Sequence, residues 1–572
     1  MEYFWLLTAL AVFLAAVFIR EAYSAANRRK TFIRELYHLC GEPPKKEYSL
    51  ERYAHIDSYF CRHRKEGQID DITWNDLNMD DIFKRMNYTF SASGEEYLYY
   101  TLRTAVQTKE ELDHEEEMVR FFEEHPDERV QIQYLMSVLG HTGKYSLYDY
   151  IDHLDRLGQR SNRKHILADL LFLPLILLAP LKLSAAMLGI AVLVIYNIMT
   201  YFKEKAETDP YIVSFAYITR LIETGKKLVQ IEVPVCREEW EQIRACVERL
   251  GGLCRHSYFV FSRNRFDSSG NPIELLMDYL RMVFHLDLIQ FNRMLWLLRD
   301  RRNEADVLIG QVGRVESAIA VSVFRASLQN GYCVPHLTEE AGKTIFAQNC
   351  YHPLLEEPVK NSVMAQRGVL ITGSNASGKS TFLKTVAVNV ILAQTIHTVM
   401  AEAYKAPVFR VFSSMSLRDD LKSGESYYMA EIRAIKRILD AARLEESPVI
   451  CFVDEVLRGT NTVERIAAST QILKSLCRPN TLCFAATHDI ELTDLLGQEY
   501  DNYHFEEEIR DGDVRFPYQL MSGKATTRNA IRLLEMMGYD EKITDRAMEM
   551  AEHFVEKGQW QVCEEGETAG CP

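Results

Sequence analysis

The stretch Gly373-Ser374-Asn375-Ala376-Ser377-Gly378-Lys379-Ser380 places four residues between two glycines and then adds a lysine and a hydroxyl. That spacing suits the phosphates of a nucleotide, because glycines let the backbone curl until its N–H groups point at phosphate oxygens. The run GVLIT precedes it and TFLKTVAVNVILAQ follows at helical period, so a strand, a loop and a helix N-terminus are expected in that order. Lys379 is expected to reach the β- and γ-phosphates of ATP, Ser380 to supply a hydroxyl ligand to Mg2+, and Thr381 to belong to the same cradle as the helix begins.

A second cluster, SPVICFVDEVLRGTNT, lies about seventy residues on. Its apolar run from Val449 to Val453 predicts a buried parallel strand, and ligands gather at the carboxyl ends of such strands. Asp454 and Glu455 stand at that end. Neighbouring side chains there point differently, so Asp454 is expected to hold the magnesium shell while Glu455 orients and deprotonates the attacking water. Another apolar strand, TLCFAATHD, leads to His488, placed to sense the γ-phosphate or support the water, or else simply hydrogen-bonded at a strand end. Between the halves, DDLKSGESYYMAE holds Ser423-Gly424-Glu425-Ser426 ahead of a helix. One nucleotide already has its loop, so this second turn-to-helix cradle points to a neighbour's ATP and a head-to-tail homodimer; the alternative is a plain helix N-cap.

These residues need elements to hold them. After Gly331 short β-branched runs alternate with helical ones, which predicts an α/β nucleotide-binding domain over 331–550 and a tail over 551–572. Upstream, 31–165 and 203–330 are rich in long helical sequence such as ELLMDYLRMVFHLDLIQFNRMLWLL, with a less regular segment over 233–265 where RHSYFVFSRNR mixes aromatics and cations. The expected architecture is therefore an α/β P-loop NTPase domain C-terminal to a long-helix all-α domain.

Two apolar stretches interrupt this plan. The chain opens MEYFWLLTALAVFLAAVFIR, and Glu2 before the run with Arg20, Arg28, Arg29 and Lys30 after it favours a membrane anchor over 1–22 above a cleaved signal peptide or core helix. Residues 166–202 can pass twice if they turn near Pro180, Leu181 and Lys182; Arg160, Arg163 and Lys164 before them and Lys203 and Lys205 after them put both ends on the cytoplasmic side. A hydrophobic hairpin buried in a helical domain is the competing reading, favoured by Asp169, Pro174 and Pro180. The lipid bilayer expected is a bacterial inner membrane, with the ATPase domain in the cytoplasm.

Composition narrows the rest. Of 572 residues 47% are hydrophobic and 26% charged, and the net charge is -15 with a pI near 5.6. That balance opposes a protein whose whole surface grips nucleic acid, though it permits a local basic patch. Twelve cysteines occur without a CxxC pair; Cys451 and Cys483, in apolar runs, read as small buried hydrophobes in a reducing compartment.

In order and spacing, GSNASGKST, DDLKSGESYYMAE, DEVLRGTNT and ATHD resemble the ATPase domain of the MutS family, and NCYHPLL resembles the segment that opens that domain. DDITWNDLNMDDIFKRMNYTFSASGEEYLYYTLRTAV is similar to the start of the family's helical core and lever, and GKATTRNAIRLLEMMGY to the segment where its dimerising C-terminal helices begin. The resemblance implies a DNA-related, dimeric ATPase of the mismatch-repair or recombination kind. Repair members usually read GPNMGGKST, so Ser374, Ala376 and Ser377 depart from the pattern at places where the backbone does the binding. Fewer than about 70 residues precede the core, so the family's mismatch-recognition domain is not expected here. Phe121-Phe-Glu123 and Phe554-Val-Glu556 match the letters of its wedge but sit in helical sequence. A DNA-acting enzyme and a membrane-bound mechanochemical switch with an unknown protein or envelope partner are the two functions left standing.

Overall fold

The computed structural model describes residues 20, 23–24, 26–39, 41–105, 108–142, 146–152, 154–158, 160–255, 279–338, 342–374, 377–415, 427–444, 447–458, 460–510, 513–525 and 530–560. The anchor read over 1–22 lies almost wholly outside these residues, and Asn375, Ala376, Ser423, Gly424, Glu425, Ser426 and the aromatic-cationic stretch from 256 lie outside them as well. The chain divides into two compact units, 1–66 with 83–329 and 67–82 with 330–572.

The first unit is helical. Its axis is the helix Arg302–Ala326, whose Leu308, Val312, Val315 and Ile319 are buried at three- and four-residue spacing. Ala92–Arg103, Lys109–Glu124 and Arg237–Arg255 pack around it. The last of these occupies much of the segment read as irregular over 233–265; Trp240, Ile243, Val247 and Leu250 bury one face at helical period. The long amphipathic stretch is instead broken, at His285, which takes a left-handed backbone (φ 47°) before the helix Leu286–Asp300 starts. Phe121 and Glu123 lie in the helix Lys109–Glu124, and Phe554 in Glu541–Lys557.

Helices Phe172–Leu178 and Leu183–Leu228 flank a turn at 179–182, and Leu175 meets Gly189 across it. The second helix does not stop where the apolar run stops at 202, because the lysines and glutamates that follow are good helix formers. By length and composition two described helices could cross a membrane, Leu183–Asp209 (mean hydropathy 2.0) and Arg302–Ala326 (1.5). Their surroundings differ: 83% of the second span is buried and 11% of the first. Leu188, Val192, Ile195, Met199 and Phe202 all stand exposed.

The second unit is built on a six-stranded sheet in the order β12-β9-β4-β8-β7-β6. These strands are β4 (Gly368–Thr372), β6 (Arg410–Ser414), β7 (Val449–Asp454), β8 (Thr481–Ala486), β9 (Tyr500–His504) and β12 (Met521–Ser522), parallel except for β12. Burial on both faces explains why β4, β7 and β8 read as unbroken apolar runs. Cys451 and Cys483 are register partners inside this core. Helix α1 (Lys379–Thr395) follows β4, α2 (Tyr427–Arg443) precedes β7 and α3 (Thr462–Ser475) lies between β7 and β8. A four-stranded sheet of β1 (His336–Thr338), β2 (Ile345–Cys350), β3 (Asn361–Ala365) and β5 (Ala403–Pro407), and a hairpin of β10 (Glu508–Arg510) and β11 (Asp513–Arg515), complete it.

Residues 67–82 belong to this unit although 247 residues separate them from its main body in sequence. The short helix Asp71–Asp76 covers the edge strand β6, where an open ladder would otherwise be a pairing hazard. Asp76 is 2% exposed and accepts from the Ser413 hydroxyl at 2.7 Å and the Met415 N–H at 2.9 Å. Thr73 accepts from the Ser413 N–H, and Arg437 of α2 bonds both Asp70 and the Ser413 carbonyl.

In the helical unit, a Cβ on Gly313 would lie 2.7 Å from the Ser93 carbonyl and 2.6 Å from Tyr97 Cβ, so two helices cross there at backbone distance. Gly313→Val should destabilise the protein by about 1–3 kcal/mol through overpacking. Gly251→Ala, where a Cβ meets nothing within 4 Å inside a helix, should stabilise it by up to about 1 kcal/mol. Denaturant unfolding of the two variants checks both signs.

Candidate functional site

The register of the sheet fixes where chemistry can happen. Ile371 and Asp454 both pair with Ala486 from opposite sides, so β4, β8 and β7 end together. The loop after β4, Thr487-His488 after β8 and Glu455 after β7 therefore meet at one rim. There His488, Asp454 and Glu455 line a cleft of about 740 Å3 that also takes in Ser374, Ser377, Lys379, Ser380 and Thr381.

The described part of the 373–380 loop is shaped for close approach. Gly373 (φ 143°) and Gly378 (φ 107°) take conformations disfavoured for side chains, and a Cβ on Gly373 would lie 2.7 Å from the Phe505 carbonyl. The Ser377 hydroxyl is buried without a partner among the described residues. Lys379, 5% exposed, donates to the Gly373 and Ser374 carbonyls at 2.7 Å each. Burial pushes its amine below the ordinary range, against the pull of Asp454 and Glu455.

Across the rim the Ser380 hydroxyl donates to Asp454 Oδ2. Burial raises the Asp454 carboxyl, with the Ser380 bond opposing. A hydroxyl and a carboxylate side by side, next to a phosphate-shaped loop, are the protein ligands Mg2+ takes when phosphates and waters fill its other positions. The donor set fits that ion.

Glu455 is gripped from two sides. His488 Nε2 contacts Oε1, and Arg458 Nε lies 2.5 Å from Oε2. Burial works to raise Glu455, but the His488 hydrogen bond, with the charges of His488, Arg458 and Lys379, holds it below its ordinary value. Its backbone is unusual too: Glu455 (φ 58°) and Leu457 (φ 57°) are both left-handed, at about 1–3 kcal/mol each for residues that are not glycine. Such strain persists only where surrounding bonds over-determine it. Three are visible here: the Glu455 N–H to the Ala486 carbonyl at 2.9 Å, the Ser469 hydroxyl to the Val456 carbonyl at 3.2 Å, and the Arg458 N–H to Glu431 Oε1 at 3.3 Å.

The structure thus brings Gly373, Ser374, Ser377, Gly378, Lys379, Ser380, Thr381, Asp454, Glu455 and His488 together. It also adds walls that the sequence reading assigned no role. Tyr518 lies beside Gly378, is half exposed and has its chain pinned by reciprocal bonds with Asn361. Val359 and Met415 line the same cleft, as does His352, which burial and Lys384 push down to about 4. Arg458 was in view within DEVLRGTNT; Tyr518 stands in sequence with no motif around it, and only the fold delivers it.

Residues 369–555 match the family MutS domain V. The chain is 31% identical over 258 residues to the DNA mismatch repair protein MutS of Thermus thermophilus, covering 44% of this chain and 31% of that protein. It is 32% identical over 291 residues to the protein of that name from Natronomonas pharaonis, covering 48% and 33%. To the DNA mismatch repair protein MutS 2 of Haloarcula marismortui it is 35% identical over 185 residues, covering 32% and 19%. The alignments span a third or less of each relative's length. Over the part that carries the cleft, these similarities support membership of the MutS family.

Proposed function

We propose that the chain hydrolyses ATP in this cleft, that a second copy completes the site, and that the protein works on DNA from the cytoplasmic face of a bacterial inner membrane. The observation that carries the catalytic part is the meeting of Lys379, Ser380, Asp454, Glu455 and His488 at the ends of three adjacent parallel strands. Lys379 releases its two carbonyls and turns to the β- and γ-phosphates, while Tyr518 and Val359 offer exposed apolar surface on which a base can pack. Ser380 and Asp454 would hold Mg2+, which would supply positive charge against that of the phosphates.

Glu455 orients the attacking water. A carboxylate held below its ordinary value by His488 and Arg458 is a good acceptor and a weak base, so its first contribution is direction. It takes the water's proton as the water attacks the γ-phosphate. His488, already on Oε1, is placed to hold the carboxylate on line.

Dimerisation is supported by the Ser423–Ser426 sequence ahead of α2, and DNA as a substrate by the relatives that are mismatch repair proteins. The exposed apolar surface of Leu183–Asp209 and its basic flanks support the bilayer. The same surface favours a second reading, a membrane-bound mechanochemical switch acting on a protein or envelope partner.

Lys379→Ala should abolish nucleotide binding or turnover, and Glu455→Gln should keep ATP affinity while losing about 10²-fold or more in kcat. Equilibrium nucleotide binding and steady-state phosphate release measure both. ATP-trapped Glu455→Gln protein should also run as a dimer in light scattering, and a bulky residue at Ser423 or Ser426 should return it to monomer with ATP still bound.

Removing residues 1–20 should leave the chain in a carbonate-washed membrane fraction, since 166–202 inserts on its own; recovery in the soluble fraction would favour a buried hairpin. DNA affinity should fall steeply with log salt concentration. A flat salt response, or no DNA binding, would favour the switch.

A further inference from the structure

The turn that carries Glu455 is held from the side by a residue that reaches neither the nucleotide pocket nor the magnesium ligands. Glu431 lies in the first turns of α2 and is 2% exposed. Its Oε1 accepts from the Arg458 N–H at 3.3 Å, and the Leu457 N–H turns to the same carboxylate. Its other oxygen, Oε2, is buried with no partner among the described residues. A carboxylate is costly to bury, and this one meets no side-chain cation at bonding distance among the described contacts. What it meets is backbone at Leu457, itself left-handed, and Arg458, the second and third residues after the left-handed Glu455.

We propose that Glu431 is a positioning residue for ATP hydrolysis. By accepting from the N–H groups of Leu457 and Arg458 it keeps the 455–458 turn in its left-handed form, and so keeps the Glu455 carboxylate aimed into the cleft and Arg458 within reach of it. The proposal rests on the hydrolysis reading above.

The geometry separates this role from a purely electrostatic one. If the carboxylate works as an acceptor for two N–H groups, reach matters and charge does not. Glutamine keeps the length and one acceptor oxygen. Aspartate keeps the charge but is one methylene short of the turn. If Glu431 instead set the local field at Glu455 and Arg458, the order would reverse.

The test compares wild type, Glu431→Gln, Glu431→Asp and Glu431→Ala as full chains, reading kcat, KM and the Kd of a slowly hydrolysed ATP analogue. The expected order of kcat is wild type, then Gln, then Asp and Ala together, the last two down about 10- to 100-fold, with the Kd of all four within threefold. Gln and Asp suffice for the comparison if the alanine variant does not accumulate. Aspartate more active than glutamine, alanine turnover within twofold of wild type, or a loss of affinity that matches the loss of turnover would each overturn the positioning role. Wild-type protein that binds ATP and never hydrolyses it would overturn the underlying reading, a result distinct from these.

Discussion

The site depends on the parallel register of β4, β8 and β7, which sets Ile371 and Asp454 on either side of Ala486. Parallel strands bonded in that register must end at the same level, so the loops that leave them share one rim. The register in turn depends on burial of both faces by α1, α2 and α3, since the period-two alternation that fixes an antiparallel sheet is absent. Val369, Leu370, Cys451, Phe452, Cys483 and Phe484 are all at or near zero exposure. Close packing on two sides makes a slip of one residue expensive, and such a slip would carry Asp454 away from Ser380 as it disrupted the core.

How far the sequence reveals this follows from the range of each interaction. The strand, loop and helix around Lys379 are contiguous, and their pattern of glycine, lysine and apolar period is readable in one window. Asp454, Glu455 and His488 are separate in sequence, yet each sits at the end of an apolar run, so the strand-end rule brings them to one place. Glu431 and Tyr518 follow no such rule. Glu431 stands in an ordinary amphipathic helix, and what distinguishes it is the backbone 26 and 27 residues away that it touches. Segment 67–82 is further out of reach: its union with β6 spans 337 to 340 residues and uses Thr73 and Asp76, residue types that cap helices everywhere. The break at His285 was hidden because the apolar period runs through it unchanged.

Two tethers converge on the chain that bears the second phosphate-cradle sequence. On its N-terminal side Met415 and Ser413 are bonded to Asp76 and Thr73, and on its C-terminal side Arg437 bonds both Asp70 and the Ser413 carbonyl. Glu431, six residues before Arg437 on α2, reaches the Glu455 turn. Helix α2 is therefore tied at one level to residues 67–82 and at another to the turn that carries Glu455.

Hydropathy does not separate the two apolar helices, but their burial does. Arg302–Ala326 and Leu183–Asp209 pass the same test of length and composition, yet the first is walled in by Ala92–Arg103, Lys109–Glu124 and Arg237–Arg255 while the second shows Leu188, Val192, Ile195, Met199 and Phe202 to its surroundings. In water that surface is an exposed apolar patch of a kind soluble monomers avoid; in a bilayer it needs no cover. On the membrane reading the 46-residue helix Leu183–Leu228 has a further consequence. At 1.5 Å per residue it is about 69 Å long, roughly twice the hydrocarbon thickness. Its apolar half would lie in lipid while Phe215, Tyr217, Ile218, Leu221 and Ile222 remain in the core of the helical unit. A single unbroken helix would then join bilayer and core, so rotation of the helical unit about its own packing would be felt as tilt in the membrane.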